Sequence, residues 1–218
     1  VETYRTEDEQ LAALKRWWKE NGKSLVVGVL LAIAAVFGWQ NWQASQQAAG
    51  EAASEIYFNL IEAVALNDAS QTSTVMHLAG QLQDEHASLT YAQYGALLAA
   101  KQAADNSDFE QAEKQLSWAV DNAEKTTSVY KISLLRLARV IVAQGGEEEQ
   151  QRALALIENV DAGAHKATFE EMKGDLYLSL GRESDARNAY LTAVDAVEGA
   201  PRLVLNLKLT DLAVAAER

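Results

Sequence analysis

The chain has 218 residues, no cysteine and one proline, which fits one domain with an appendage and excludes collagen-like repeats, coiled-coil fibres and disulfide scaffolds. Apolar residues make up 49% and charged residues 23%, enough for a sizeable core and too apolar for a disordered chain. The formal net charge of -12 argues against an extended nucleic-acid surface, because phosphate binding needs clustered Lys and Arg to release counterions; no nucleic acid is expected as a partner.

Thr6-Glu7-Asp8-Glu9 fits a capping box and predicts a helix start. Leu11, Leu14, Trp17 and Trp18 then share a face opposite Lys15 and Lys19, so residues 1–22 read as an amphipathic segment on the cytoplasmic leaflet. Leu25 through Trp39 run 15 residues without a charged or strongly polar side chain. A bilayer core of roughly 30 Å takes about 20 helical residues, so the flanks must complete a span over 23–43. Trp17 and Trp18 at one end and Trp39 and Trp42 at the other suit the two interfaces, whereas a buried core helix has no use for Lys and Trp at both ends. The expected bilayer anchor comprises Leu25, Gly28, Ala32, Ala34, Gly38, Trp39 and Trp42. Gly28 with Ala32 and Ala34 with Gly38 form small-xxx-small pairs that let another helix approach closely, although Gly and Ala are common in any membrane helix.

Lys15, Arg16, Lys19 and Lys23 precede the span, and no Lys or Arg occurs from Ser24 to Ala100. The positive-inside rule therefore predicts a cytoplasmic N-terminus and an exported C-terminal domain. Residues 1–43 carry five basic and five acidic groups, leaving the whole charge of -12 on 44–218. The polar lead and the Gly38-Trp39-Gln40-Asn41-Trp42 exit lack a small-residue cleavage pattern, so an uncleaved anchor is expected.

From Ala44 onward apolar residues recur at three and four, and strands are not expected. Break signals fall near Asn67-Asp68, Asp105-Asn106, Gly145-Gly146, Gly163, Gly181 and Gly199, dividing 44–218 into helical hairpins. Ser107-Asp108-Phe109-Glu110 reads as a second capping box, with Ser107 as the cap. Gly174, Tyr177, Gly181, Ala186, Tyr190 and Ala193 have the spacing of a tetratricopeptide (TPR) unit, with small residues where two helices cross. Ala138, Ile141, Gly145, Ala153, Ile157 and Val160 repeat it with three extra residues, expected in a loop with an acidic tip over Gly146-Glu147-Glu148-Glu149-Gln150-Gln151. Ala100, Ala103, Ala112, Leu116 and Ala119 fit a further unit, and 46–83 form a divergent helical pair. A last helix carrying Leu203, Leu205, Leu207, Leu209 and Leu212 should cover the final hairpin. The fold expected is all-α: an N-terminal amphipathic and transmembrane helix followed by a TPR-like α-solenoid, with an ordinary helical bundle as the alternative.

No motif nominates an enzyme. His77, His86 and His165 are too scattered for a metal site, and no H-E-x-x-H, calcium loop, G-x-G-x-x-G, P-loop or nucleophile elbow occurs. No metal, cofactor or catalytic residue is expected. His86 beside Asp84 and Glu85 reads as a solvated helix end.

Glu2-x-Tyr4, Lys15-Arg16, Glu20-Asn21-Gly22-Lys23, Val26-Val27-Gly28-Val29-Leu30 and Gly38-Trp39, with Leu135-Arg136-Leu137-Ala138-Arg139-Val140 and Gly174-Asp175-Leu176 farther on, form a specific combination. With these motifs the chain resembles the ancillary SecYEG translocon subunits, the YfgM-like bacterial inner-membrane proteins. The resemblance implies a single-pass inner-membrane protein with a cytoplasmic N-terminus and a periplasmic TPR domain beside the SecYEG channel. It also implies association with a membrane-anchored periplasmic chaperone of the PpiD type and assistance to exported polypeptides on their way to periplasmic chaperones. A TPR scaffold for another cell-envelope complex is the alternative. Because the first helix of each TPR hairpin lines the concave surface, Tyr94, Lys101, Leu135, Arg139, Asp175 and Leu178 are the candidate partner-binding residues, the apolar ones equally fitting a place between helices.

Overall fold

The computed structural model describes residues 7–66, 68–196 and 203–216, and among these there is no strand. The helices are α1 (Glu7–Ala65), α2 (Thr72–Glu85), α3 (Thr90–Asp105), α4 (Phe109–Asn122), α5 (Ser128–Ala143), α6 (Glu147–Ile157), α7 (Lys166–Ser179), α8 (Glu183–Asp195) and α9 (Leu203–Ala216). Short 3-10 turns at Ala69–Gln71 and Gly163–His165 precede α2 and α7. The chain divides into two compact units, Val1–Glu51 and Ala52–Arg218.

In the first unit α1 continues without interruption through Asn21-Gly22. The Asn21 side chain donates back to the Trp17 carbonyl at 3.1 Å, and Gly22 is buried beneath the Trp18 indole, so this pair does not end the amphipathic turns. Thr6, the expected cap, lies outside the described residues. Leu25, Leu31, Phe37, Trp39 and Trp42 are exposed, and an added Cβ at Gly28 or Gly38 would touch nothing. A helix apolar all round yet uncovered by protein is long and apolar enough to cross a membrane.

In the second unit the last turns of α1 bury Ala53, Leu60 and Ala63 with Val75, Ala79 and Leu82 of α2 and Ala92 and Ala99 of α3. Three hairpins follow, α3–α4, α5–α6 and α7–α8, each closed by a three-residue turn: 106–108, 144–146 and 180–182. The middle residue of each turn has a left-handed backbone, with φ of 63° at Ser107, 85° at Gly145 and 70° at Gly181. The Asp108 amide donates to the Ala103 carbonyl and the Arg182 amide to the Tyr177 carbonyl, so two of the turns close on the same carbonyl position of the preceding helix. Ala100 with Ala112, and Ala138 with Ala153, are buried as the repeat spacing requires. Gly174 is buried against Tyr190, whose ring occupies the place a β-carbon would need.

Four sequence expectations change. Helix α4 starts at Phe109, one residue later than the Ser107 box implies: Asp108 is the cap, its Oδ1 accepting from the Gln111 amide at 3.0 Å, and Ser107 is taken up by the left-handed turn. The three extra residues form no loop. Glu147, Glu148 and Glu149 are the first turn of α6, where carboxylates suit the positive end of the helix dipole, and the turn before them keeps the common length. A helix also ends at Ala123–Thr127, which carries no glycine or proline signal, while α2 ends at His86 as the solvated helix end read there; Gly199 lies outside the described residues. Of the five α9 leucines, Leu205 and Leu212 are buried with Ala186, Tyr190 and Ala193, and Leu209 is partly covered; Leu203 and Leu207 stay exposed.

Candidate functional site

The first helices of two hairpins, α3 and α5, flank a cleft of about 320 Å3 that reaches down to α4. Its apolar lining is Leu97, Ala100 and Ala104 from α3, Leu116 from α4 and Val140 from α5, continuous with the main hydrophobic core. Lys101, Arg136 and Arg139 stand around it, all three exposed. The Lys101 ammonium donates to Asp105 one turn on, at 2.5 Å. Among the described residues neither Arg136 nor Arg139 has an ion pair, so two guanidinium groups in a chain of net charge -12 face the cleft uncompensated.

The candidate residues fare differently. Lys101 and Arg139 meet at this cleft. Tyr94 is exposed on α3 and belongs to an aromatic group around Tyr57, with ring centroids 6.2 Å apart, while Tyr91 stands 5.4 Å from Tyr57. Burial, then the neighbouring Tyr94 and Tyr91 phenols, push the Tyr57 hydroxyl above its ordinary range. Leu135 does not face the groove: only 5% exposed, it packs into the core, and the adjacent Arg136 takes the outward position. Leu178 is exposed on α7.

Asp175 is engaged within the domain. Its carboxylate accepts from the Tyr190 hydroxyl at 2.7 Å and from the Lys208 ammonium of α9 at 2.7 and 2.8 Å, and Lys208 also donates to Glu171 at 3.0 Å. Burial lowers the Lys208 pKa, but the hydrogen bonds to Asp175 and Glu171 outweigh it and hold the ammonium above its ordinary range. This network fastens α9 to the last hairpin.

Arg136 and Lys208 lie outside the candidate residues that repeat order nominates. Arg136 had a signal, since it lies three residues before Arg139 and so on the same face of α5. Among the described residues no group of three or more His, Asp and Glu side chains could hold a metal ion. The cleft presents an apolar floor with a cationic rim.

A family model for tetratricopeptide repeat-like domains matches residues 15–214. The chain belongs to this tetratricopeptide repeat-like domain family. It is 28% identical over 215 residues to the ancillary SecYEG translocon subunit of Escherichia coli, covering 98% of this chain and 100% of that one. It is 27% identical over 206 residues to the ancillary SecYEG translocon subunit of Haemophilus influenzae, and 26% identical over 208 residues to that of Neisseria gonorrhoeae; each match covers 94% of this chain and 97% of the relative. The resemblance, carried by motifs from the N-terminal third to Gly174-Asp175-Leu176, is thus matched over nearly the whole chain. The three-residue turns and crossing small residues are the repeat-like geometry of the family in this chain.

Proposed function

We propose that the protein is a non-enzymatic ancillary subunit of the SecYEG translocon, a single-span inner-membrane adaptor that helps exported polypeptides reach periplasmic chaperones. Residues 1–22 lie at the cytoplasmic face, 23–43 cross the bilayer, and 44–218 form the periplasmic domain. The observation carrying this reading is the full-length similarity to ancillary SecYEG translocon subunits in a chain with, among the described residues, one apolar helix of spanning length. A PpiD-type membrane-anchored chaperone is the proposed neighbour.

The physics suits the task. A tether beside the channel makes capture of an emerging chain a local encounter at raised effective concentration, so weak and reversible contacts in a repeat groove suffice. The cleft between α3 and α5, open and of modest size, is suited to contacts of that strength.

Purification in mild detergent tests the reading: translocon components should co-purify, and recovery of the chain alone under gentle conditions overturns it. Protease treatment tests the topology. The large domain should be digested in spheroplasts and protected in inverted inner-membrane vesicles. Photocrosslinking from Tyr94 or Lys101 should capture nascent exported chains; crosslinks solely to mature envelope proteins would identify the envelope scaffold instead.

A further inference from the structure

The cleft between α3 and α5 has a chemical preference written into its rim. Its floor, formed by Leu97, Leu116 and Val140, none more than 9% exposed, offers a small apolar patch that one apolar side chain can cover, and the exposed rim supplies the rest of the contact. Arg136 and Arg139, three residues apart on α5, present guanidinium groups without an acidic partner among the described residues. Arginine forks match carboxylate geometry and make charge-assisted hydrogen bonds. Across the cleft the third cation, Lys101, is already held by Asp105 of the same helix at 2.5 Å. Asp105 is thus a carboxylate supplied by the domain itself, competing with any carboxylate brought from outside.

We propose that this cleft binds an extended polypeptide segment in which an apolar side chain is flanked by Asp or Glu, and that Asp105 weakens the binding by occupying Lys101. This builds on the concave face being the side that meets exported polypeptides, and it adds the class of segment selected there. Charge complementarity decides the class. A basic segment would meet three cations, and a purely apolar one would leave both arginines facing it without acceptors. Because the rim is exposed, screening by salt should weaken the interaction markedly. The domain's overall negative charge works against acidic segments at long range, so recognition is confined to the cleft, where the local sign is reversed.

The test uses the full chain in detergent micelles and three fluorescent peptides identical except for the residues flanking a central leucine: glutamate, glutamine or lysine. Fluorescence anisotropy should show saturable, salt-sensitive binding of the glutamate peptide, about tenfold weaker binding of the glutamine peptide, and none of the lysine peptide. Arg136→Glu with Arg139→Glu should abolish binding of the glutamate peptide, with unchanged circular dichroism expected because both positions are exposed. Asp105→Asn, which frees Lys101, should tighten binding several-fold, a gain that a misfolded variant cannot produce. Equal binding of all three peptides, no saturable binding of the glutamate peptide, or weaker binding by Asp105→Asn overturns the proposal. Concentration-dependent self-association that Glu147→Gln, Glu148→Gln and Glu149→Gln together abolish would assign the cleft to a second copy and overturn it as well. Co-purification with translocon components is read separately, so failure at the cleft and failure of the translocon assignment are distinguishable.

Discussion

Replacing Gly174 by alanine places a methyl group where the Tyr190 ring already is. The ring cannot step aside cheaply: Tyr190 is 1% exposed, and its hydroxyl is anchored on Asp175 at 2.7 Å. Forcing an extra carbon into such a core costs about 1–3 kcal/mol, while the better helix propensity of alanine returns about 1 kcal/mol. A net loss of up to about 2 kcal/mol is expected, or as much as roughly 8 °C in Tm for a domain of this size. Urea unfolding of the full chain in mild detergent, followed by far-UV circular dichroism, gives the midpoint that measures it. Gly80→Ala is the matched control. It lies inside α2 with nothing near an added Cβ, so there the entropic gain should stand alone, at about 0.5–1 kcal/mol of stabilisation. Combining Gly174→Ala with Tyr190→Leu should cost less than the sum of the single changes, because the clash disappears with the ring. If Gly174→Ala stabilises as Gly80→Ala does, the crossing of α7 and α8 is not as close as described.

Asp108→Ala should lower stability by about 1 kcal/mol as a lost helix cap. Ser107→Gly should raise it by about 0.5 kcal/mol by relieving a left-handed serine; both changes are read from urea midpoints. Arg152→Met removes surface contacts to Glu113 and Glu149 and should shift the midpoint by less than about 1 kcal/mol. Burial, then Asp175, raises the Tyr190 pKa far above its ordinary 10.0, and Lys208 is raised above 10.5 by its carboxylate partners despite burial. Both folded values exceed the unfolded ones, so the stability they contribute is complete below pH 10.0 and is lost as pH rises through the folded values. The thermal midpoint should therefore fall in strongly alkaline solution, and Tyr190→Phe, without a titrating phenol, should fall less steeply.

Much of the fold is legible because crossing helices demand small residues at fixed intervals, and Ala100, Ala112, Gly174 and Ala186 supply them. Turns were visible where glycine provides the left-handed residue, as at Gly145 and Gly181. The joint before α5 carries no break signal because extended Thr127 enters that helix, a conformation that any residue adopts, whereas the joint before α3 is legible as the polar helix end at Asp84-Glu85-His86. Thr127 left a faint trace, its hydroxyl accepting from the Tyr130 amide at 3.3 Å. The added turn of α6 reads as loop in the sequence because the glycines before it and the charges within it look the same whether the helix starts early or late. Lys101 and Arg139 are legible from helix order, but the same order nominates Leu135 where Arg136 faces outward. One residue is about 100° of rotation, enough to exchange an inward leucine for an outward arginine. The role of Asp175 depends on Lys208, 33 residues away, a pairing no local pattern encodes.

The turns inside the three hairpins are uniform, but the joints between neighbouring pairs are not: 86–89, 123–127 and 158–165 have four, five and eight residues. Helices packed across a joint, as α4 is on α5, take their placement from the residues that connect them. The stretch from Ala123 to Thr127 is the joint that lies between Lys101 on α3 and Arg136 and Arg139 on α5, so its length helps to set how widely those cations stand apart. The aperture offered to a visiting segment thus depends in part on five residues that do not line it.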